Sequence, residues 1–219
     1  MRRWVSVLAV VLGCAVGAEA APVDELELSG TASNNSLATA QLIPTSAFTL
    51  PVPETVFDPP GFRTASLFGS GGTPDVDVFR ISGHGQLLLD IDTDDGGHPD
   101  TVLFIFNSSG VQLAVNDDAG NDPGSLNHHD SLILFALPQP GVYFVGITSF
   151  SNWTEDCCSF DEAFSQNGPQ PSPDEPNAGG YVLHLSLEHP HPFRVSVPAT
   201  LALLVSSGVL AFGARFWRR

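Results

Sequence analysis

The sequence contains no lysine, and positive charge is scarce throughout. Eight arginines oppose 24 acidic residues, which gives a formal net charge of −16 at pH 7. A negative surface of this size repels nucleic acid and anionic membrane surfaces, so no nucleic-acid partner is expected. The charge favours solubility or the binding of cations, and part of it must simply form a solvated exterior.

Cysteine is also scarce, which excludes a fold held together by several disulfides. The three cysteines are Cys14, in an apolar N-terminal run, and the adjacent pair Cys157 and Cys158. Neighbouring cysteines can join only in a strained ring or to other chains. In an oxidising compartment a disulfide between Cys157 and Cys158 can form, and two thiols on a surface loop are the alternative.

Helical periodicity is missing from the middle of the chain, where no segment between residues 23 and 188 repeats its apolar residues at a helical spacing. Short runs of Val, Ile, Leu and Phe are instead bounded by Gly, Pro, Asn and Asp. The predicted strands lie near residues 64–68, 76–82, 86–92, 101–106, 111–115, 131–137, 142–149 and 180–188. Eight short strands separated by turns predict an all-β fold, a single antiparallel β-sandwich of the jelly-roll type.

The last predicted strand alternates between apolar and polar residues, which is typical of a strand with one buried face. Its apolar face consists of Tyr181, Leu183, Leu185 and Leu187. The alternation places His184 on the solvent face. Residues 42–63, rich in proline, are expected to be extended coil, and residues 151–179 are expected to be a long loop.

The N-terminus has the composition of a secretory signal peptide. Arg2 and Arg3 precede an apolar run, which ends in the small-x-small pattern of Ala18 and Ala20. The sequence therefore predicts a signal peptide over residues 1–20 that forms a helix. A lipoprotein cleavage before Cys14 is the alternative, and under either reading the chain leaves the cytoplasm.

The C-terminus predicts a membrane anchor. Residues 195–214 form an apolar run without charges, and about 20 such residues are needed to span a bilayer core. The basic tail at residues 215–219 is expected in the cytoplasm by the positive-inside tendency. The run is therefore predicted to be a transmembrane helix, joined to the domain by a linker at residues 189–194.

Two predicted strands around the turn at residues 107–110 form a hairpin with carboxylates at its open end. Pairing Phe106 with Val111 brings Asp100 opposite Asp117, and like charges in that position are destabilising. A bound cation accounts for the cluster better than a solvated loop end, and carboxylate and amide oxygens suit Ca²⁺. The candidate ligands here are Asp100, Asn116, Asp117, Asp118 and Asp130.

Catalytic patterns are not found in the sequence, so the protein is expected not to be an enzyme. No serine lies in a G-x-S-x-G turn, and the glycine-rich residues 69–72 lack the strand, lysine and helix of a phosphate loop. His128, His129 and Asp130 could ligate a transition metal. Adjacent strand-edge histidines point in opposite directions, however, so a solvated loop is the interpretation.

An ordered series of short motifs resembles the bacterial pre-peptidase C-terminal domain. The motifs are Asn34-Asn35-Ser36, Asp75-Val76-Asp77, Asp100-Thr101-Val102-Leu103, Asn116-Asp117-Asp118, Asp130-Ser131, Gly141-Val142-Tyr143 and Gly179-Gly180-Tyr181. The resemblance covers residues 24–188. It implies a compact, non-catalytic β-sandwich that is found beside secreted proteases and is often stabilised by calcium. It adds Asp75 and Asp77 to the candidate calcium ligands.

The C-terminus also resembles a PEP-CTERM sorting tail, which has a proline motif, an apolar helix and an arginine-rich end. Here Val197 and Pro198 precede the apolar run, and Arg215, Arg218 and Arg219 close the chain. The Glu-Pro that follows the first proline in such tails is missing. The resemblance implies an exosortase-type processing enzyme, the bacterial cell envelope and an exopolysaccharide matrix.

Together these features predict an exported module that is anchored in the cell envelope or released into a matrix. Its expected role is structural or binding, with Ca²⁺ as cofactor and contact to the membrane through the C-terminal helix. A glycan-binding adhesin that uses the loop at residues 151–179 is the alternative. Within that loop, Trp153 is expected to be tucked on the sandwich edge rather than to serve as a sugar platform.

Overall fold

The computed structural model describes residues 22–27, 30, 33–49, 61–71, 75–93, 99–119, 129–153, 158–164 and 179–190. The predicted signal peptide, transmembrane helix and basic tail lie outside the described residues, as do Ala18, Ala20, Val197, Pro198, Arg215, Arg218 and Arg219. No helix within the described ranges is long and apolar enough to cross a membrane.

Within the described residues the chain forms eight strands and almost no helix. The strands are β1 (Val23–Asp24), β2 (Gln41–Leu42), β3 (Arg63–Gly71), β4 (Val76–Thr93), β5 (Thr101–Asn107), β6 (Gln112–Asn116), β7 (Leu132–Ser149) and β8 (Gly179–Pro190). Two 3-10 helices span Thr45–Ala47 and Phe150–Asn152, and α1 spans Phe160–Ala163. The first and last of these helices lie in segments predicted to be coil.

Two pairs of predicted strands are each one long strand. Residues 76–82 and 86–92 belong to β4, and residues 132–137 and 142–149 belong to β7. The β4–β7 ladder continues across an irregularity at Gly83 to Gly85. Gly85 has φ +87°, which glycine adopts without a Cβ clash, so the glycine pair bends the strand instead of ending it.

The strands form one mixed sheet in the order β1-β3-β8-β4-β7-β5-β6, and β2 pairs with β4. The pairs β1–β3 and β2–β4 are parallel, so the prediction of a purely antiparallel sandwich is wrong. Parallel pairing needs a long crossover, and residues 25–62 provide one between β1 and β3. The result is a β-sandwich-like fold built from one continuous sheet.

The main core confirms the predicted alternation in β8. Leu183 and Leu185 are fully buried in it, together with residues from most of the other strands, such as Leu67, Leu89 and Leu103. Burying each such side chain stabilises the folded state by about 1.5–3 kcal/mol. This core holds β3, β8 and β4 together, and these strands carry the acidic residues described below.

A second core covers the other face of β5 with aromatic rings. Phe104 and Phe106 project there and contact Trp153, Phe160 and Phe164 at centroid distances of 5.0–6.0 Å. Trp153 is only 7% exposed, which agrees with its expected place against the edge of the sandwich. The apolar face of β5 attracts the indole because burial of its large surface stabilises the fold.

Candidate functional site

Four side chains from three separate parts of the chain meet beneath the edge of the sheet. Asp75 and Asp77 stand at the start of β4, Glu25 follows β1, and Tyr181 lies near the start of β8. The backbone N–H of Glu25 donates to the Phe68 carbonyl at 2.9 Å, which continues the β1–β3 pairing and carries the glutamate inward. We call Glu25, Asp75, Asp77 and Tyr181 the buried acidic site.

The carboxyl groups of Glu25 and Asp77 are withdrawn from solvent, with residue exposures of 0% and 1%. The Tyr181 hydroxyl donates to Asp77 Oδ2 at 2.6 Å. Glu25 Oε1 accepts the backbone N–H of Glu27 at 3.0 Å. Gly69 makes this arrangement possible, because a Cβ at that position would overlap the Tyr181 ring.

One oxygen of each buried carboxyl group takes no part in these hydrogen bonds. Glu25 Oε2 and Asp77 Oδ1 have no hydrogen-bond donor among the described residues. The two carboxyl groups are within hydrogen-bond reach of each other, and two carboxylates can form such a bond only by sharing a proton. The pair must therefore hold a proton or bind a cation.

Burial is the main electrostatic influence on the site. Together with the neighbouring charges of Glu25 and Asp75, it raises the pKa of Asp77 to about 9, against the opposing effect of the Tyr181 hydrogen bond. Burial also raises the pKa of Glu25 and of Asp75 above their ordinary values. In the described part of the chain, none of these carboxylates forms a salt bridge.

Further oxygen donors surround the site. The carbonyl of Asn34 accepts the N–H of Val78 at 3.1 Å, which places this fully buried asparagine beside the start of β4. The amide oxygen and nitrogen of Asn34 have no hydrogen-bond partner among the described residues. The Asn35 side chain hydrogen-bonds the Asp75 carboxylate, which lowers the pKa of Asp75. Burial and the charge of Glu27 act in the opposite direction and raise it.

The sequence patterns identified only part of this site. Asp75 and Asp77 were predicted as calcium ligands from the family resemblance, but Tyr181 was predicted only as a core residue and Glu25 was not predicted at all. The pairing of β1 with β3, and of β3 with β8, brings these residues together across the sheet. The acidic pair Glu25 and Glu27 beside the start of the domain was the available signal.

The predicted register of the β5–β6 hairpin is wrong by two residues. Asn116 lies opposite Leu103 instead of Thr101, and Asp117 is therefore not opposite Asp100. One residue of the shift arises because Asn107 N–H donates to the Val111 carbonyl, with Gly110 at φ +77° in the loop. A bulge between Ile105 and Phe106 adds the second.

The hairpin end nevertheless carries a cluster, with a different membership. Asp100, Asp118 and His129 each place one ligand atom within 4.8 Å of the others. His129 Nδ1 lies 3.2 Å from Asp118 Oδ1. The sequence interpretation of His129 as part of a solvated loop missed this approach, and His128 lies outside the described residues. We call Asp100, Asp118 and His129 the hairpin-end site.

The other candidate ligands of the hairpin stabilise the local backbone. The Asn116 amide accepts the Leu132 N–H at 3.1 Å and donates to the Asp118 carbonyl at 3.3 Å. The Asp117 carbonyl accepts a short hydrogen bond from the Ser131 hydroxyl. Asp130 is fully buried.

Thr93 hydrogen-bonds both oxygens of the Asp130 carboxylate. Its hydroxyl donates to Asp130 Oδ1 at 2.6 Å, and its N–H lies 3.4 Å from Oδ2. These bonds tie the end of β4 to the start of β7. The calcium assignment of Asn116, Asp117 and Asp130 stays a prediction.

A third polar group crosses the outer face of the sheet. His184 lies between Ser66 Oγ, 3.1 Å from Nδ1, and Asp92 Oδ2, 3.1 Å from Nε2. The His184 side chain is only 13% exposed, so its prediction as a solvent-face residue missed these contacts. The contacts of His184 with Ser66 and Asp92 link β3, β8 and β4, and we assign His184 this structural role.

The cysteine pair is described only in part. Cys158 is exposed and forms no disulfide among the described residues, while Cys157 lies outside them. The predicted disulfide between Cys157 and Cys158 therefore stays a prediction.

Solved structures give only weak similarities. PliG of Aeromonas hydrophila, a periplasmic lysozyme inhibitor of g-type lysozyme, aligns with a TM-score of 0.34 and 16% identity over 61% of this chain and 94% of that chain. PliG of Salmonella Typhimurium, with the same described activity, aligns with a TM-score of 0.28 and 12% identity over 68% of this chain and 98% of that chain. Scores this low do not establish a shared fold.

Sequence comparisons are more specific. A probable subtilase-type serine protease of Deinococcus radiodurans is 30% identical over 131 residues. The match takes in 58% of this chain but spans only 16% of that protease's length. A bacterial pre-peptidase C-terminal domain is found at residues 75–149, the part of the chain that contains Asp75, Asp77, both strands of the hairpin and the hairpin-end site.

Proposed function

We propose that this chain is an exported, non-catalytic β-rich module that calcium stabilises through the buried acidic site. Its role is structural or binding at the bacterial cell envelope. The observation that carries the proposal is the pair of buried oxygens, Glu25 Oε2 and Asp77 Oδ1, which have no donor among the described residues. A bound cation satisfies both oxygens without a shared proton.

Calcium fits the donor set better than other common cations. The site offers only oxygen donors: the carboxylates of Glu25, Asp75 and Asp77 and the hydroxyl of Tyr181. Ca²⁺ accepts six to eight such oxygens in flexible geometry, whereas Mg²⁺ demands a near-ideal octahedron and sheds water reluctantly. Glu27 acts electrostatically on Asp75, and the backbone of Asn34 hydrogen-bonds Val78 next to Asp77, so both residues are candidates for further oxygen ligands.

Calcium would also join three parts of the fold. Glu25 belongs to the segment after β1, while Asp77 and Tyr181 belong to the central strands β4 and β8. A ligand that binds only this folded arrangement stabilises it by mass action, by about 2.7 kcal/mol at a concentration 100 times Kd. Calcium therefore holds the segment that contains Glu25 against strands β4 and β8.

Export and anchoring belong to the same proposal. The signal-peptide pattern, the apolar run at residues 195–214 and the arginine-rich end support an extracytoplasmic location with a single membrane contact. The pre-peptidase C-terminal domain and the subtilase-type relative support a module of the kind found beside secreted enzymes. The corresponding partners are an exosortase-type processing enzyme and exopolysaccharide.

Thermal melts of the full-length chain in calcium and in chelator test the calcium part. We expect calcium to raise the midpoint of the wild type and to have almost no effect on Asp77→Asn, which keeps an acceptor for Tyr181. Asp118→Asn is the matched control, because it neutralises an aspartate at the hairpin-end site and should retain the full calcium increment. Equal midpoints of the wild type in millimolar calcium and in chelator would contradict the proposal.

A further inference from the structure

We propose that the hairpin-end site binds a transition-metal ion of the zinc class, independently of calcium at the buried acidic site. Asp100, Asp118 and His129 supply its three protein ligands. This assignment goes beyond the proposed function and does not depend on it. It replaces calcium as the expected ion at Asp100 and Asp118.

The spacing of the ligand atoms supports a single ion. One oxygen of Asp100, one oxygen of Asp118 and one nitrogen of His129 all lie within 4.8 Å of one another. Zinc binds carboxylate oxygen and imidazole nitrogen at about 2.0–2.2 Å, so two of its ligands are at most roughly 4 Å apart. A small closing of the side chains therefore completes three bonds and leaves a fourth position for water.

The imidazole decides the class of ion. Ca²⁺ and Mg²⁺ prefer oxygen ligands, whereas imidazole suits Zn²⁺, Cu²⁺ and Ni²⁺. A cluster of solvated carboxylates would not require a histidine from another segment of the chain to approach the same point. His129 comes from the turn before β7, while Asp100 precedes β5 and Asp118 follows β6.

The backbone around the three ligands is tightly linked. The Asp100 carbonyl accepts the Phe150 N–H at 2.8 Å, and the Asp130 carbonyl accepts the Ala119 N–H at 3.0 Å. The Ser131 hydroxyl lies between the carbonyls of Thr101 and Asp117, within hydrogen-bond reach of both. These bonds hold the segments that bear the ligands in place, which reduces the ordering that binding would otherwise require.

Burial separates the ligands into an inner and an outer group. Asp100 is 8% exposed, while the side chains of Asp118 and His129 are 53% and 32% exposed. An ion can therefore enter from solvent past Asp118 and His129 and reach the inner carboxylate. A contact between His129 and Asp118 alone is the competing explanation, and it predicts no metal affinity.

Zinc titration of the full-length chain, measured calorimetrically in calcium-containing buffer, tests the proposal. We expect His129→Ala to weaken zinc binding by more than about 100-fold, since loss of an outer-shell partner alone costs 10–100-fold. Asp118→Asn should weaken binding as well. His189→Ala is the matched control, because His189 is an exposed histidine that also lies beside a carboxylate, 3.6 Å from Glu188.

Two results would overturn the assignment: no zinc binding by the wild type, or equal zinc affinity in wild type and His129→Ala. Cobalt gives a second readout, because ligation by His129 should produce a visible absorption band that His129→Ala lacks. The calcium increment in thermal melts shows that His129→Ala is folded. Asp77→Asn should lose the calcium increment but keep zinc binding, so failure of one proposal is distinguishable from failure of the other.

Discussion

The buried acidic site and the hairpin-end site both contain carboxylate groups, but the surroundings of these groups differ. Glu25 and Asp77 are removed from water and share their space with a phenol, whereas Asp118 is 53% exposed and faces an imidazole. A charge withdrawn from water costs several kcal/mol unless it is compensated, while an exposed pair contributes at most about 1 kcal/mol. Burial, more than residue type, therefore decides which site controls the stability of the fold.

The first way to sharpen the comparison is pH, where we expect the largest effect. Burial raises the pKa of Asp77 from 3.8 in an ordinary environment to about 9 in the fold. Between these values the folded state holds a proton that the unfolded state has lost. In chelator, stability should therefore be highest in acid and fall with rising pH by about 1.4 kcal/mol per unit until the pH passes about 9.

Calcium should remove this dependence, because the ion takes the place of the proton. Urea unfolding at several pH values, with calcium and with chelator, measures both slopes. Asp77→Asn provides the control, since an amide has no proton to lose and its curve in chelator should be flatter. A wild-type curve in chelator that rises between pH 5 and 8 would contradict the account of the site.

Removing the phenol hydroxyl is expected to have the next largest effect. Tyr181→Phe leaves the ring but deletes the donor to Asp77. In calcium, where the ion replaces the proton and Asp77 is charged, such a hydrogen bond contributes about 1.5–3 kcal/mol. Tyr143→Phe is the matched control because Tyr143 donates to the neutral carbonyl of Gln139 at 2.6 Å. We expect it to lose only about 1 kcal/mol in chemical unfolding. Equal losses of unfolding free energy in the two variants would mean that the hydrogen bond to Asp77 stabilises the fold no more than one to a neutral carbonyl.

Crowding the ring is a steric version of the same test. Gly69→Ala would place a methyl group against the Tyr181 ring, and overpacking of this kind costs about 1–3 kcal/mol. Displacing the ring from Asp77 should also reduce the calcium increment. Gly180→Ala, in the strand that pairs with β3, meets its nearest atom at an ordinary 3.8 Å and should change neither quantity. Similar losses in the two variants would remove the proposed role of Gly69.

The smallest effect on stability is expected at the hairpin-end site. His129→Ala breaks a partly exposed contact with Asp118, so the free energy of unfolding without zinc should fall by less than about 1 kcal/mol. Urea unfolding in the presence of a zinc chelator checks this. A loss of 3 kcal/mol or more would show that His129 is a structural residue of the fold.

The strand pattern was largely predictable, because alternation depends on local sequence. Leu183 and Leu185 lie in the core as their spacing indicated. The joining of two predicted strands into β4 was not predictable, since the glycines at 83 and 85 would suit a hairpin turn as well as a bend. Local sequence also did not reveal the bulge between Ile105 and Phe106, which changes the register by one residue.

The sites were predictable only where a motif carried them. Asp75 and Asp77 stand together in sequence and in space, but Glu25 and Tyr181 reach them through pairings between strands far apart in the chain. Asp100 and Asp118 were expected to be close, for a register that proved wrong. His129 was set aside because adjacent strand-edge histidines were expected to point in opposite directions. In the fold it lies in a turn, where strand alternation does not apply.

The most direct test of the central claim is a crystal structure of the protein grown with calcium, with anomalous scattering used to locate the ion. We expect a peak at about 2.3–2.6 Å from oxygens of Glu25 and Asp77. If that position shows no peak at millimolar calcium and the two carboxyl groups remain hydrogen-bonded to each other, a shared proton rather than a cation holds the site, and the calcium proposal is wrong.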